Sequence, residues 1–202
     1  MAKINNISIG FLIIILMMIT GCASYQSATI PAGQVSNYAR NSKNGGISFA
    51  AEPYDTAEQA KSAFYADVTS QGYFPVHLVV KNDSPENIMV LRDTAELQTA
   101  GNTYHSTRSS NMFNDFEHNK MAYALLGFGI FSYMSAEDAN RKMESDWREK
   151  EMPEQLIVQP GRTGHGFVYF KLPPGVTVRG SELKMDATSM ANGKTIKLAL
   201  SL

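Results

Sequence analysis

Residues 73–81 of the chain read YFPVHLVVK, and this stretch decides the fold. Every second residue from Phe74 to Val80 is apolar, which is the period of a β-strand that buries one face in a core. The strand pattern ends at Asn82-Asp83-Ser84-Pro85, whose residue types favour a turn. The stretch therefore predicts a strand of a β-rich domain.

Similar short strand patterns recur on both sides and are separated by Gly and Pro, as at 160–161 and 173–175. Several short strands with turn signals between them predict an antiparallel all-β sandwich, which we expect as a single domain over residues 47–202. The predicted strands are 46–51, 73–81, 87–98, a short strand from 103, 156–158, 166–172, 176–187 and 194–202.

Two segments have helical rather than strand periodicity. Residues 56–70 predict a short amphipathic helix, with a capping box that begins at Asp55 and has Glu58 three residues later. A helical insertion is predicted at about 119–151. Its second helix begins near residue 136, carries four acid–base pairs at i,i+4 spacing and buries an apolar stripe that includes Trp147. The four pairs are Glu137–Arg141, Asp138–Lys142, Glu144–Arg148 and Asp146–Lys150.

The amino terminus has the pattern of a secretory signal over residues 1–21. Lys3 precedes an apolar run at 9–19, which is shorter than the about 20 residues that a membrane-spanning helix needs. The run ends in Ile19-Thr20-Gly21-Cys22, and Cys22 is the only cysteine of the chain. This segment resembles the lipobox of bacterial lipoproteins. The alternative is an ordinary secretory signal with a cysteine nearby by chance.

The lipobox resemblance implies cleavage between Gly21 and Cys22 and acylation of the Cys22 thiol and of the new amino group. By the same resemblance, Cys22 would carry three acyl chains in all. Two acyl chains already give stable membrane anchoring, so this anchor would be permanent. Ala23 and Ser24 lack the aspartate that keeps such lipoproteins in the inner membrane, so the resemblance implies a lipid anchor in the outer membrane, on its periplasmic face. Residues 22–46 are rich in Ser, Asn, Ala and Gly and are predicted to be a lipidated flexible tether.

A second resemblance concerns the sandwich. Residues 74–84 (FPVHLVVKNDS) and the later Pro160-Gly161-Arg162-Thr163 with 166–170 (GFVYF) are similar to bacterial immunoglobulin-like domains akin to the late-embryogenesis-abundant or water-stress type. The similarity covers roughly 73–202, and the helical insertion departs from it. It implies an immunoglobulin-like β-sandwich with an interaction role in the cell envelope and no catalytic residues.

Motifs for catalysis or metal binding are missing from the sequence. The formal net charge is −1, which excludes electrostatic binding of nucleic acid as a main activity. The four histidines show no zinc-ligand spacing, and we predict no metal, no cofactor and no enzyme activity. His77 is expected to be exposed. Asp115, Glu117 and His118 are interpreted as a solvated polar loop, and the glycines of 161–166 as a hairpin-type turn with positive φ.

The segment 121–134 (MAYALLGFGIFSYM) is almost continuously apolar. It is either a buried helix of the core or an interaction surface, because its apolar residues exceed what one sheet face can cover. The candidate interaction residues are Leu125, Leu126, Phe128, Ile130, Phe131, Tyr133 and Met134.

The leading hypothesis is a non-catalytic outer-membrane lipoprotein that binds another envelope protein, as a structural or accessory part of an assembly such as a secretion or transport apparatus. The alternative is a module that binds a small apolar ligand or a lipid between the insertion and the sheet.

Overall fold

The computed structural model describes residue 25 and residues 27–118 and 133–202. The predicted signal peptide, Gly21 and Cys22 lie outside the described residues, as does most of the apolar segment 121–134. The described strands are β1 (Asn41–Asn44), β2 (Ile47–Pro53), β3 (Tyr73–Asn82), β4 (Ile88–Thr99), β5 (Asn102–Thr107), β6 (Gln155–Val158), β7 (Thr163–Lys171), β8 (Glu182–Ser189) and β9 (Thr195–Ser201). The described α-helices are α1 (Ala57–Phe64), α2 (Ser109–His118) and α3 (Tyr133–Lys150).

The strands form one antiparallel sheet that folds back on itself. Its order is β1-β2-β3-β7-β5-β4-β8-β9, and β6 pairs with β4. Strand β5 joins the two halves, since Asn102–His105 pairs with β4 and Ser106–Thr107 pairs with β7. The outer strands β1 and β9 approach each other, and the Asn44 side-chain amide donates to the Lys197 carbonyl at 2.8 Å. The sheet is therefore nearly closed, and the prediction of a mainly β, antiparallel fold is confirmed.

Strand β3 is buried on both faces, which explains why residues 73–82 decide the fold. Its alternate residues Phe74 to Val80 face an inner core between the two halves of the sheet. Its other face lies under the helices, in a second apolar cluster that we call the helical core. The helical core consists of Tyr25, Ala60, Ala63, Phe64, Ala66, Val68, Tyr73, Met112, Phe113, Phe116, Met143, Trp147, Phe167 and Tyr169.

Helix α1 begins one residue later than its predicted cap. The capping box is formed by Thr56 and Gln59, because the Thr56 hydroxyl accepts from the Gln59 amide and the Gln59 side chain accepts from the Thr56 amide. The predicted pair Asp55 and Glu58 is thus wrong by one position. The helix ends at Phe64 rather than at residue 70, because Tyr65 adopts a left-handed conformation (φ 57°, ψ 15°).

Helix α3 confirms the second half of the predicted insertion. Glu144–Arg148 pairs at 2.6 Å and Asp146 pairs with Lys150, whereas Asp138 pairs with Arg141 rather than with Lys142. Trp147 is fully buried in the helical core, as its apolar stripe predicts. Residues 119–132, the remaining part of the insertion, lie outside the described residues.

Two local interpretations are corrected by the structure. Asp115, Glu117 and His118 belong to helix α2 rather than to a loop, since Met112, Phe113 and Phe116 fasten this helix to the helical core. The glycine-rich segment 161–166 is not a hairpin turn, because β7 already begins at Thr163 and β6 pairs with β4. Within that segment only Gly161 has positive φ, at 71°.

The segment predicted as a tether contacts the domain at several of its described residues. Tyr25 is buried in the helical core, and Val35 packs against Ala50 and Val79 on the outer face of the sheet. Residues 41–44 form strand β1 on the edge of β2. The prediction of a flexible tether over 22–46 is therefore wrong for residues 27–46, because isolated apolar side chains in this polar segment find places on the sheet and helices.

Candidate functional site: the seat of the N-terminal segment

The carboxylate of Asp146 holds the N-terminal segment against helix α3. The Tyr25 hydroxyl and the Ser27 hydroxyl both donate to it, and Lys150 forms an ion pair with it from one helical turn away. Asp146 is only 5% exposed, so its charge is balanced within the protein by these donors. The Lys150 ammonium also donates to the Ala63 carbonyl, which connects α3 to α1.

Tyr25 packs into a defined position between α1 and α3, which we call the Tyr25 seat. It is 7% exposed, and its ring meets the ring of Tyr65 edge to face with centroids 5.6 Å apart. Burial and the neighbouring Asp146 raise the pKa of the Tyr25 hydroxyl far above its usual value, so this group remains a neutral donor. Trp147 lies beside the seat and donates from its indole to the Phe64 carbonyl at 3.0 Å.

Strand β4 supports the end of α3 through a second charged network. The Arg92 guanidinium, which is 6% exposed as a residue, donates to the Glu151 carboxylate at 3.0 Å and to the Met152 carbonyl at 3.3 Å. The Ser109 hydroxyl donates to the other oxygen of Glu151 at 2.5 Å. The chain immediately after α3 is thereby fixed to β4 and to the start of α2.

A cleft of about 330 Å³ lies along residues 27–30 and contains a pair of histidines. His77 on β3 and His165 on β7 face each other with Nε2 and Nδ1 3.1 Å apart. His77 is 1% exposed and packs on Phe167, so the expectation that it is exposed is wrong. Desolvation, with a smaller contribution from His165, lowers the pKa of His77 to about 4. His77 is therefore neutral at neutral pH.

The two ring nitrogens of His77 have different surroundings. Nδ1 of His77 has no hydrogen-bond partner among the described residues, whereas a general base is normally oriented by a group on its second nitrogen. Because an unpartnered acceptor is less costly here than an unpartnered N–H, we assign the proton of His77 to Nε2, as the donor to His165. No group of three or more potential metal ligands occurs within residues 25, 27–118 and 133–202.

Of the predicted trio Asp115, Glu117 and His118, Asp115 is held by two side chains of neighbouring strands. Its carboxylate accepts from the Tyr73 hydroxyl at 2.8 Å and pairs with Lys171 at 2.7 Å. These contacts fasten α2 to β3 and β7. The residue is structural in this position.

The predicted interaction and anchor residues lie mostly outside the described part of the chain. Tyr133 and Met134 begin helix α3. Gly21, Cys22, Leu125, Leu126, Phe128, Ile130 and Phe131 lie outside the described residues.

Sequence reasoning missed Tyr25, Ser27 and His77 as parts of one site. The available signal was the presence of single aromatic or branched residues, Tyr25, Ile30, Val35 and Tyr38, at intervals through a segment otherwise rich in small polar residues. Such isolated apolar residues have no period, and only the tertiary structure shows where they pack.

Comparison with known proteins finds no matching family model and no matching curated protein. Among solved structures, a candidate lipoprotein (ycdA) from Bacillus subtilis shares 9% identity at a TM-score of 0.39, over 80% of this chain and 38% of that one. The yjhA protein from Bacillus subtilis shares 9% identity at a TM-score of 0.40, over 79% and 95% of the two chains. A FixG-related protein from Vibrio parahaemolyticus shares 8% identity at a TM-score of 0.35, over 79% and 96%.

The chain thus spans well under half of the Bacillus candidate lipoprotein and nearly all of the other two structures. At these scores the matches carry no functional argument. Among the described helices, none is both long and apolar enough to span a bilayer.

Proposed function

We propose that this protein is a non-catalytic lipoprotein, anchored by acyl chains on Cys22 at the periplasmic face of the outer membrane. The observation that carries the proposal is the seat of Tyr25, three residues after Cys22. Tyr25 closely follows the lipobox cysteine and is fixed to the folded domain. This arrangement is suited to hold the domain close to a membrane.

The folded part is suited to binding rather than to catalysis. Its buried polar groups are used to fasten elements to one another: Asp146 holds the N-terminal segment, Glu151 holds α2 and β4, and Asp115 holds α2. We propose that it is an immunoglobulin-like interaction module and an accessory component of an envelope assembly. Its proposed contact surface is the segment that contains Leu125, Leu126, Phe128, Ile130, Phe131, Tyr133 and Met134.

The described residues do not favour the alternative of a small apolar ligand between the insertion and the sheet. Phe64, Trp147 and Phe167 fill this space with edge-to-face ring contacts, at centroid distances of 4.9 and 6.2 Å from Phe64. The nearby 330 Å³ cleft is lined by charged and polar side chains, including Asp146, Lys150 and His165.

The anchor is tested with Cys22→Ala. Because Cys22 is the only thiol of the chain, the variant should incorporate no labelled palmitate and should leave the outer-membrane fraction. Ser24→Ala is the matched control and should behave as the wild type. Ala23→Asp should keep the label but move to the inner membrane, as the lipoprotein resemblance implies. Palmitate incorporation by Cys22→Ala would contradict the proposal.

The contact surface is tested with Phe128→Ser and Phe131→Ser. Both variants should melt within a few degrees of the wild type and should lose a protein that co-purifies with the wild type from detergent-solubilised membranes. If both variants unfold the domain instead, residues 121–134 belong to the core, and the contact surface lies elsewhere.

A further inference from the structure

The position of Tyr25 limits where a lipid on Cys22 can be. Consecutive Cα atoms are 3.8 Å apart, so the Cα atoms of Cys22 and Tyr25 can be separated by at most about 11 Å. Tyr25 is itself held in the helical core by Asp146 and by a 3.4 Å contact of its hydroxyl with the Phe64 carbonyl. An acylated Cys22 must therefore leave the protein beside the junction of α1 and α3.

The surface next to this exit point carries an exposed aromatic residue. Tyr65 directly follows α1 and touches the Tyr25 ring, and its side chain is among the few large hydrophobic ones that are exposed in the described residues, at 41%. Tyrosine is enriched at membrane–water interfaces, because its ring is apolar and its hydroxyl can remain in water. Lys61, which is exposed one turn earlier on α1, adds a positive charge suited to lipid phosphate.

The backbone of Tyr65 supports the same interpretation. Its φ of 57° is in the left-handed region, where glycine is favoured and a tyrosine is strained. This conformation ends α1, with the Tyr65 amide donating to the Lys61 carbonyl at 2.9 Å, and it leaves the Tyr65 ring between the Tyr25 ring and solvent. The exposed part of the ring therefore lies beside the exit point of the anchor.

We infer that the helical face of the domain, at the junction of α1 and α3 around Tyr65, lies against the lipid bilayer. The opposite half of the sheet, with β8 and β9, then faces away from the membrane. This inference rests on the proposed acylation of Cys22, and it adds the orientation of the domain and the surface that touches lipid.

The orientation can be measured with two matched labels. Ser62 on α1 and Ser201 on β9 are both exposed, and the acylated protein has no other thiol, so Ser62→Cys and Ser201→Cys each give a unique labelling site. Each lipidated full-length variant is labelled with bimane and reconstituted in vesicles of phosphatidylethanolamine and phosphatidylglycerol that contain a nitroxide-headgroup lipid. We expect several-fold stronger quenching at position 62 than at position 201. Equal quenching, or stronger quenching at 201, overturns the inference.

Two further variants test the cause of the orientation. In the Ser62→Cys background, Tyr25→Ala should reduce quenching towards the value at position 201, because the anchor is no longer held beside α1. Tyr65→Gly should also reduce quenching, while the melting temperature is unchanged or higher because the left-handed strain is relieved. Circular dichroism checks that both variants are folded. Unchanged quenching in both variants overturns the inference.

Mass spectrometry of the same preparations separates this inference from the proposed function. An acylated protein without the expected quenching difference refutes the orientation and leaves the lipoprotein proposal standing. A protein without acyl chains on Cys22 refutes the lipoprotein proposal itself, and the inference with it.

Discussion

Gly166 of strand β7 should not tolerate even an alanine, for a reason that is steric rather than conformational. A Cβ at this position would lie 2.6 Å from the Met152 Cα and 2.8 Å from the Met152 nitrogen, although carbon atoms pack at about 3.5–4.0 Å. The contact atoms belong to backbone, so they cannot move aside as a side-chain end could. The chain after α3 would have to move away from β7 by about 1 Å.

The cost of this displacement can be worked out from the contacts that it breaks. The Met152 amide donates to the Phe167 carbonyl at 2.8 Å, and a hydrogen bond of this kind contributes about 1 kcal/mol. Overpacking a core position costs a further 1–3 kcal/mol or so. We therefore expect Gly166→Ala to lower the free energy of unfolding by about 2–4 kcal/mol.

Gly164→Ala, two residues earlier on the same strand, is the matched control. Its Cβ would meet only the side-chain ends of Leu156 and Val158, at 3.0 and 3.1 Å, and these ends can rotate. We expect a loss of less than about 1.5 kcal/mol for this variant. Urea unfolding followed by the fluorescence of Trp147, the only tryptophan of the chain, measures both variants. Equal losses in the two variants would refute the steric argument.

Two other substitutions test the helical core and the histidine pair. Trp147→Ala should lower the free energy of unfolding, measured by circular dichroism, by about 3–5 kcal/mol. Arg148→Ala, at an exposed neighbouring position, should stay within about 0.5 kcal/mol of the wild type. Similar losses in the two variants would contradict the burial of Trp147. Because the pKa of His77 falls from 6.5 to about 4 on folding, the unfolded chain binds the extra proton between these pH values. The contribution of neutral His77 to the free energy of unfolding is therefore complete above pH 6.5, and it falls by about 3 kcal/mol as the pH is lowered towards 4. His77→Gln should flatten this dependence, and an unchanged slope would assign it to other groups.

The sequence predicts strands β3 and β4 well because apolar residues alternate with other residues along much of each strand, as from Phe74 to Val80 in β3. The presence of α3 and the burial of Trp147 were also predictable, since acid–base pairs at i,i+4 spacing and an apolar stripe fall on opposite sides of one helix, although this helix begins three residues earlier than predicted. Helix α2 was missed because its polar residues Asp115, Glu117 and His118 suggested a loop. Its three apolar residues, Met112, Phe113 and Phe116, have helical spacing but cover little more than one turn.

The candidate site could not be predicted because its parts are far apart in the sequence. Tyr25 and Asp146 are separated by 121 residues, and His77 and His165 by 88 residues. No local period connects such residues. His77 also lies on the polar side of a strand pattern, and only the helices and the N-terminal segment above β3 make that side an interior one.

The near closure of the sheet has a consequence for how copies of this protein behave beside one another. An open sheet edge offers unpaired amide and carbonyl groups to a neighbour, which is a common start of aggregation. Proteins confined to a surface collide edge to edge more often than proteins free in solution. Here strand β1 is four residues long and entirely polar, and Asn44 turns it towards β9 through the Lys197 carbonyl. On the β1 side, crowded copies would thus meet a short polar strand rather than a long apolar edge.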